Sequence, residues 1–230
     1  MIRHLETLAR IPLFRSLDQD AIRRLDSQCI WRRVKAEEWV IDYQDESRDL
    51  FVVAHGHVRV MIRSISGRDT ILRDIRDGEY FGELAAIDGQ PRSAGIVAVT
   101  DSVIARMSPA VFRETIHTRP EVCDQLLALL ASQIRSLANR VNEFNVLDVR
   151  HRIYAELLRL SRPALGDERH AILSPPPTHA EIAARVSTHR EAVSRELKSL
   201  ERSGILERRR GALVLLKPAH LAELIERARS

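Results

Sequence analysis

Apolar and polar positions follow two different rhythms along the 230-residue chain. From Trp31 to about Met107, short β-branched runs such as WVIDY, FVVAHGHVRVMI and AGIVAVTDSVIARM are separated by turn residues. Four glycines recur at intervals of eleven in this stretch: Gly56, Gly67, Gly78 and Gly89. Short strands with evenly spaced turns are typical of a small barrel or roll, so we predict a β-roll, jelly-roll-like in character, in this part of the chain.

Outside this stretch the pattern is helical. A short helix is predicted from Leu17 to Cys29, and a long one from Glu121 to Asn145, after Pro120 interrupts the tract that Ser108 opens. Seven apolar positions of the long helix step by four and three residues: Cys123, Leu127, Leu130, Ile134, Leu137, Val141 and Phe144. Such a heptad seam favours a parallel two-helix dimer interface, which we assign to the last six positions; the alternative is a helix packed on its own roll.

The stretch THAEIAARVSTHREAVSREL, residues 178–197, contains T-H-x-E twice. Each copy, Thr178 to Glu181 and Thr188 to Glu191, has the form of a capping box and predicts a helix start. The first helix is short, with Ile182 and Val186 on one face. In the second, Val193, Leu197 and Leu200 form the apolar stripe, and the opposite face carries Arg190, Glu191, Ser194, Arg195 and Lys198. Two short helices of this kind predict a helix-turn-helix whose polar face enters a DNA major groove.

The segment GILERRRGALVLL that follows is interpreted as a two-stranded wing. Its three adjacent arginines, Arg208, Arg209 and Arg210, are placed at the turn, where they either approach DNA phosphates or are simply solvated. The charge distribution favours the phosphate role. Residues 146–230 carry 16 Lys or Arg against 11 Asp or Glu, whereas residues 1–145 carry 20 against 21, so the whole basic excess lies in the C-terminal part.

Composition excludes several classes of protein. The sequence contains no apolar run of about 18 residues and no signal-peptide pattern, so we expect a cytoplasmic protein without a membrane partner. Cys29 and Cys123 stand far apart, and His55 and His57, which we expect on one face of a strand, have no cysteine near them. We therefore expect no metal, no haem and no iron-sulfur cluster. No nucleophile-base pair or phosphate-binding loop of an enzyme is present either.

The stretch FGELAAIDGQPRSA, residues 81–94, carries a candidate ligand site. Gly78 and Gly82 permit a tight turn before a one-turn helix, whose first N-H groups can face an anion. Arg92 and Ser93 offer a guanidinium and a hydroxyl to a phosphate, and Glu83 offers a carboxylate to a ribose hydroxyl. The alternative is an internal Glu83-Arg92 ion pair that only staples the roll.

A roll, a long helix and a winged helix-turn-helix together resemble the CRP/FNR family of bacterial transcription regulators. Two motifs carry the resemblance, FGELAAIDGQPRSA and STHREAVSRELKSLERSGIL. It implies an α+β fold with a β-roll effector domain at 1–119, a dimerisation helix at 120–145 and a winged helix-turn-helix domain at 146–230. It also implies a cyclic nucleotide effector, with Glu83 on the ribose hydroxyl, Arg92 and Ser93 on the phosphate, and backbone contacts from Gly82 and Leu84.

The identity of the effector stays open between cyclic AMP, which is favoured, cyclic GMP, another nucleotide and none. In the cyclic AMP receptor branch a polar pair on the long helix meets the adenine, whereas this chain has Leu137 and Ala138 there. Two further departures, Glu37 and Gln44, stand in turns where the family usually has glycine. A hinge is expected near Asn145 to Asp148.

The same resemblance implies how DNA is read. Arg190, Glu191 and Arg195 are expected on base edges, with Ser194 as a weaker candidate and Thr178 on a phosphate; Thr188 completes the expected DNA-binding set. The implied partners are a second copy of the chain and a palindromic double-stranded operator, with RNA polymerase as a further candidate. The alternative is an effector-independent DNA-binding dimer whose roll is only a scaffold.

Overall fold

The structure is a computed structural model, which describes residues 7–43, 45–63 and 69–229. Gln44 and Gly67, where the sequence predicts turns, lie outside these residues. The chain divides into two compact units, Met1–Gln133 and Ile134–Ser230, so that the longest helix contributes to both. No helix of the described residues is long and apolar enough to cross a membrane.

The N-terminal unit contains the predicted roll. The described residues of this unit form eight strands: β1 (Ile30–Val34), β2 (Trp39–Ile41), β3 (Leu50–His55), β4 (His57–Ile62), β5 (Thr70–Arg76), β6 (Tyr80–Phe81), β7 (Gly95–Ala98) and β8 (Ser102–Met107). They form two antiparallel sheets with the strand orders β1-β8-β3-β6 and β2-β7-β4-β5. The α+β class and the β-roll are confirmed.

Side-chain alternation on β3 explains how the roll is filled. Phe51 and Val53 point into a core to which all eight strands contribute, and the rings of Phe51 and Phe81 stack there with centroids 5.1 Å apart. Leu50 and Val52 point the other way, into a second core beneath the helices. A strand that is buried on both faces has a continuous apolar sequence, which accounts for the LFVV run.

Helices cover the outer side of the first sheet. α1 (Gln19–Gln28) begins at Asp18, whose carboxylate accepts from the N-H of Ala21, and two 3-10 turns precede it. α2 (Glu83–Asp88) follows β6, and α3 (Pro109–Thr118) begins at its cap Ser108. The start of α4 (Pro120–Val146) adds Val122 and Leu126 to the same core. The predicted helices from 17 and 121 are therefore present.

The C-terminal unit is built on a helix-turn-helix and a four-stranded sheet. Its helices are α5 (Val149–Leu160), α6 (His179–Val186), α7 (Arg190–Arg202) and α8 (Pro218–Arg229). The strands β9 (Arg162–Ala164), β10 (Asp167–Leu173), β11 (Leu206–Arg209) and β12 (Ala212–Leu215) have the order β11-β12-β10-β9. The wing hairpin is confirmed, and β9 and β10 extend it into a sheet.

Two local expectations have different outcomes. His55 and His57 do not share a strand, because His55 ends β3, His57 begins β4 and Gly56 forms the turn between them; that prediction was wrong. Each imidazole instead lies near a carboxylate, Asp77 or Asp74. The residue that replaces the usual glycine at position 37 does take a left-handed conformation, with φ 69°.

Candidate nucleic-acid interface and effector cassette

The start of α6 is a complete capping box. The hydroxyl of Thr178 accepts from the N-H of Glu181 at 3.1 Å, and the carboxylate of Glu181 accepts from the N-H of Thr178 at 2.7 Å. The first T-H-x-E prediction is confirmed. Because Thr178 is exposed at a helix N-terminus, its position suits contact with a phosphate.

The second T-H-x-E motif is not a capping box, and that prediction was wrong. Ser187 takes a left-handed conformation with φ 51° and ends α6, and the N-H of Thr188 donates to a carbonyl of α6. Because this N-H is already bonded to α6, it is not available to the carboxylate of Glu191, which is the reciprocal bond that a capping box needs. His189 is the N-cap of α7 instead. Glu191 is therefore the second residue of α7, whereas a capping box needs the carboxylate at the third.

The polar face of α7 is positioned by a buried stripe. Val193, Leu197 and Leu200 are all at most 2% exposed, as predicted from their spacing. The opposite face presents exposed Arg190, Glu191, Arg195 and Lys198, with Ser194 half-buried. This face thus displays three cations and one carboxylate to solvent.

A side-chain network holds α7 against α5. The hydroxyl of Tyr154 donates to Glu196 at 2.5 Å, and Nε of Arg150 lies 3.2 Å from the same carboxylate. Burial and the bond to Glu196 raise the pKa of Tyr154 to about 12, so the hydroxyl stays a donor. This contact orients the side of α7 that adjoins its polar face.

The three wing arginines do not all lie at the turn, so this prediction was wrong for two of them. Arg208 and Arg209 are strand residues of β11, opposite Leu213 and Ala212. Nε of Arg208 is 2.5 Å from Glu201 of α7, and Arg209 pairs with Glu207 at 2.8 Å. Arg210 alone follows the strand, at the turn itself. Two of the three cations thus already form ion pairs with neighbouring carboxylates.

The effector cassette is organised around Gly82, which has φ 81° and precedes α2. A Cβ at this position would lie 2.5 Å from Nη1 of Arg92 and 2.9 Å from the carbonyl oxygen of Asp49. Only glycine satisfies both the left-handed backbone and the close approach. The other two predicted cassette residues, Leu84 and Ser93, are exposed.

Glu83 and Arg92 are both buried, at 6% and 4% exposure. The guanidinium of Arg92 donates to the carbonyls of Asp49 (2.8 Å) and Gly82 (3.0 Å) and to the hydroxyl of Ser47 (3.2 Å). Burial raises the pKa of the Glu83 carboxyl, an effect that Arg73 and Arg92 partly offset. The described hydrogen bonds of Arg92 thus go to other groups of the roll and not to Glu83. In place of the predicted Glu83-Arg92 ion pair, Arg92 is bonded to Asp49, Gly82 and Ser47.

The apolar seam of α4 is exposed on the single chain. Leu127 is 58% exposed, Ile134 67%, Leu137 57% and Val141 60%. Leu130 and Phe144 are half-buried. The face of α4 that packs on its own unit is instead the one with Val122 and Leu126, both buried.

Comparison with known proteins agrees with this architecture. Residues 31–119 match the family model described as a cyclic nucleotide-binding domain, and residues 122–224 match that of a Crp-like helix-turn-helix domain. The chain is 31% identical to the cyclic AMP receptor protein of Thermus thermophilus over an alignment of 214 residues. The alignment covers 93% of this chain and 96% of the relative. The chain belongs to the CRP/FNR family.

Other members of the CRP/FNR family are similar over most of their length. The cAMP-activated global transcriptional regulator Vfr of Pseudomonas aeruginosa is 30% identical over 187 residues, 80% of this chain and 87% of that one. The c-di-GMP responsive global regulator CLP of Xanthomonas campestris has the same fold, with a TM-score of 0.74, 24% identity, and coverage of 86% and 99%. This CRP/FNR chain is a DNA-binding transcription regulator with a cyclic-nucleotide-binding domain, and not an enzyme.

Two residues near these sites were not among the candidates predicted from the sequence. His179 contacts Arg208, and its repeated T-H context was the only available signal. Glu156 is 1% exposed and forms ion pairs with Arg159 on its own helix and with Arg140 and Arg185 on two other helices. Its spacing to Arg159 is visible in the sequence, but the two partners on other helices are not.

Proposed function

We propose that this CRP/FNR regulator acts as a homodimer that binds a palindromic operator and is gated by a cyclic nucleotide, with cyclic AMP favoured over cyclic GMP. The observation that carries the proposal is the exposed apolar seam of α4. Four large apolar side chains, each more than half exposed, recur at heptad spacing on one helix. A second copy of the same helix buries such a seam best.

Dimerisation explains the expected operator. In a parallel helix pair the two copies of α7, the recognition helix of each helix-turn-helix, are related by a two-fold axis, so each reads one half of an inverted repeat. Half-site centres are then separated by about one turn of DNA, roughly 34 Å. Arg190, Glu191 and Arg195 supply the groups that read guanine and cytosine edges.

Gating is supported by the cassette. Glu83 provides a buried carboxylate that can accept from a ribose hydroxyl, and Ser93 provides an exposed hydroxyl for the phosphate. A guanidinium carries five N-H groups, and the three bonds that Arg92 makes leave two for a phosphate. The cassette residues present thus fit the ligand.

Two observations favour a second candidate, an effector-independent DNA-binding dimer. The bonds of Arg92 to Asp49, Gly82 and Ser47 already join two loops of the roll, as a structural arginine would. Leu137 and Ala138 also offer no hydrogen-bonding side chain to a base at the seam. In this function the roll only supports the dimer.

Selection of bound duplexes from a randomised pool, at fixed low salt and with or without cyclic AMP or cyclic GMP, tests both candidates. We expect enrichment of an inverted repeat with half-sites about 10 base pairs apart, and only when a cyclic nucleotide is present. Equal enrichment without any nucleotide would support the scaffold function. Failure to enrich any duplex would contradict both.

Calorimetric titration of the full chain with each cyclic nucleotide tests the cassette directly. The Ser93→Ala variant removes an exposed hydroxyl without touching the bonds of Arg92, so the roll should stay folded. We expect affinity to fall about tenfold, the loss of one hydrogen bond to a charged group. An unchanged affinity would show that the ligand, if bound, lies elsewhere.

A further inference from the structure

His179 is placed where three parts of the DNA-binding domain meet. It is the first residue of α6, directly after the Thr178 cap. Its Nε2 lies 3.1 Å from Nη2 of Arg208 on β11. Nε of the same guanidinium lies 2.5 Å from Glu201 of α7. The imidazole therefore joins the first helix, the recognition helix and the wing through one arginine.

The contact with Arg208 defines the protonation state of His179. A guanidinium has only donors, so Nε2 must be the acceptor and must carry no proton. The surroundings favour this neutral form. Burial, Arg208 and Arg190 lower the pKa of His179, with a smaller contribution from Lys198, and only Glu201 opposes them. A helix N-terminus also disfavours a cation.

These same cations are the ones expected to face DNA. Arg190 and Lys198 stand on the exposed face of α7, and Arg208 stands on the wing. A backbone phosphate brought to this surface reverses the sign of the local potential, because each phosphate carries a full negative charge. The environment that keeps the imidazole neutral in the free protein then favours the imidazolium.

We propose that His179 is a further DNA-contacting residue, which takes up a proton on binding and donates to a backbone phosphate. The proton comes from solvent and is added to Nε2. The hydrogen bond from Arg208 is lost in the same step, which releases Nη2 of that arginine to donate to phosphate as well. This role rests on the proposed binding of an operator by the helix-turn-helix.

Linkage gives the sign of the pH dependence. The pKa of His179 is lowered in the free protein and is higher in the complex, so binding takes up a proton. Affinity rises as pH falls through the pKa of the complex and becomes constant below the pKa of the free protein. The slope is at most about tenfold per pH unit for each protomer, and about a hundredfold for a dimer on two half-sites.

His189 provides a matched control. It is the histidine of the second T-H-x-E motif, ten residues further on, and is exposed at the N-cap of α7. Its side chain makes no capping bond. Both histidines are thus next to helix starts on the same domain, but only His179 is held by a wing arginine.

The test measures the dissociation constant of one fixed duplex from about pH 5.5 to about pH 8.5, the range in which imidazole titrates, at constant salt. The wild-type chain is compared with His179→Gln, which keeps an acceptor for Arg208 but cannot take up a proton, and with His189→Gln. We expect affinity to rise as pH falls for the wild type and for His189→Gln, and to stay nearly level for His179→Gln. Calorimetry in buffers of different ionisation enthalpy should count about one proton per protomer for the wild type.

A level profile for the wild type, or a full slope in His179→Gln, would overturn the proposal. NMR titration of the His179 imidazole, free and bound, should show a higher pKa in the complex, and a lower one would overturn it too. These outcomes are separable from the operator-binding function, because near pH 8.5 all three proteins should still bind the duplex. Failure of all three to bind at every pH would reject that function and this role together.

Discussion

The hydroxyl of Thr178 contributes more to the stability of the helix-turn-helix than that of Thr188, although both begin the same four-residue motif. Only Thr178 accepts from the backbone three residues later. We predict that Thr178→Ala lowers the free energy of unfolding by about 1 kcal/mol, the usual loss for an N-cap, and that Thr188→Ala lowers it by less than about 0.5 kcal/mol.

Urea titration followed by far-UV circular dichroism measures both variants. Helix content is the appropriate signal, because Trp31 and Trp39 both belong to the N-terminal unit. Their fluorescence therefore reports on that unit and not on the helix-turn-helix. Equal losses for the two threonines would contradict the assignment of His189 as the cap of α7.

Arg195 is the residue whose removal should alter sequence reading most directly. It is exposed on the polar face of α7, where a guanidinium can bond to guanine O6 and N7. Arg195→Ala should weaken operator binding by about 1 to 3 kcal/mol and relax the preference at one base position per half-site.

Arg202→Ala is the control, since Arg202 is also exposed but lies at the far end of α7. Binding to a set of operators with single base changes, at one salt concentration, separates the two variants. If Arg195→Ala discriminated among these operators as the parent does, its assignment to a base edge would be wrong.

At this scale the sequence predicts packing better than hydrogen bonding. The stripe of Val193, Leu197 and Leu200 follows from helical spacing alone. The second capping box did not form because Ser187 took a left-handed backbone, and the pattern T-H-x-E contains no information on the residue before it. Likewise, no pattern shows whether Arg92 points to a ligand or to the carbonyls of its own roll.

Among the helices, α4, α5 and α6 are joined by one buried carboxylate. Glu156 of α5 is 1% exposed. It forms ion pairs with Arg159 of its own helix, with Arg140 of α4 (Nη1 to Oε2, 3.7 Å) and with Arg185 of α6 (Nη1 to Oε1, 3.7 Å). Arg140 also donates to the backbone carbonyl of Arg185. The last turns of α4 are therefore bonded to the helix-turn-helix within one unit.

Removal of this carboxylate should destabilise the fold, because it leaves a guanidinium buried without its counter-charge. We predict that Glu156→Ala lowers the free energy of unfolding of the C-terminal unit by about 3 to 5 kcal/mol. Glu223→Ala, in which an exposed carboxylate of α8 is removed, should change it by less than about 0.5 kcal/mol. Thermal or urea unfolding measures both variants, and similar stabilities would show that the buried cluster contributes little.

Element positions were predictable where periodicity was strong. The roll strands and the long helix follow from alternation and from heptad spacing. The sheet β11-β12-β10-β9 was only half predicted, because β10 pairs with β12, which is distant along the chain, and the short sequences of β9 and β10 carry little pattern. Arg208 and Arg209 lie in a strand because β11 pairs with β12, and this pairing extends β11 by three polar residues beyond Leu206.

For the molecule as a whole, the exposed seam predicts self-association. Leu137→Glu puts a charge at a seam position that is 57% exposed in the single chain, so it should leave the fold intact and disrupt the helix pair. We expect the wild type to sediment as a dimer and Leu137→Glu as a monomer that binds full operators more weakly.

Leu165→Glu is a matched control, because Leu165 is fully exposed and lies outside the seam, at the turn between β9 and β10. It should remain a dimer. Sedimentation equilibrium at several protein concentrations decides the matter, and a dimeric Leu137→Glu would place the self-association surface somewhere else.

In the proposed dimer, pairing through the exposed apolar residues of α4 also makes transcription depend on the abundance of this protein. While paired chains are a minority, their number grows with the square of the amount synthesised, so doubling production raises occupancy of a two-part site about fourfold. The effects of expression level and of effector level on the occupancy of that site then multiply. A modest change in the activity of the gene's own promoter therefore changes transcription of its targets more than in proportion.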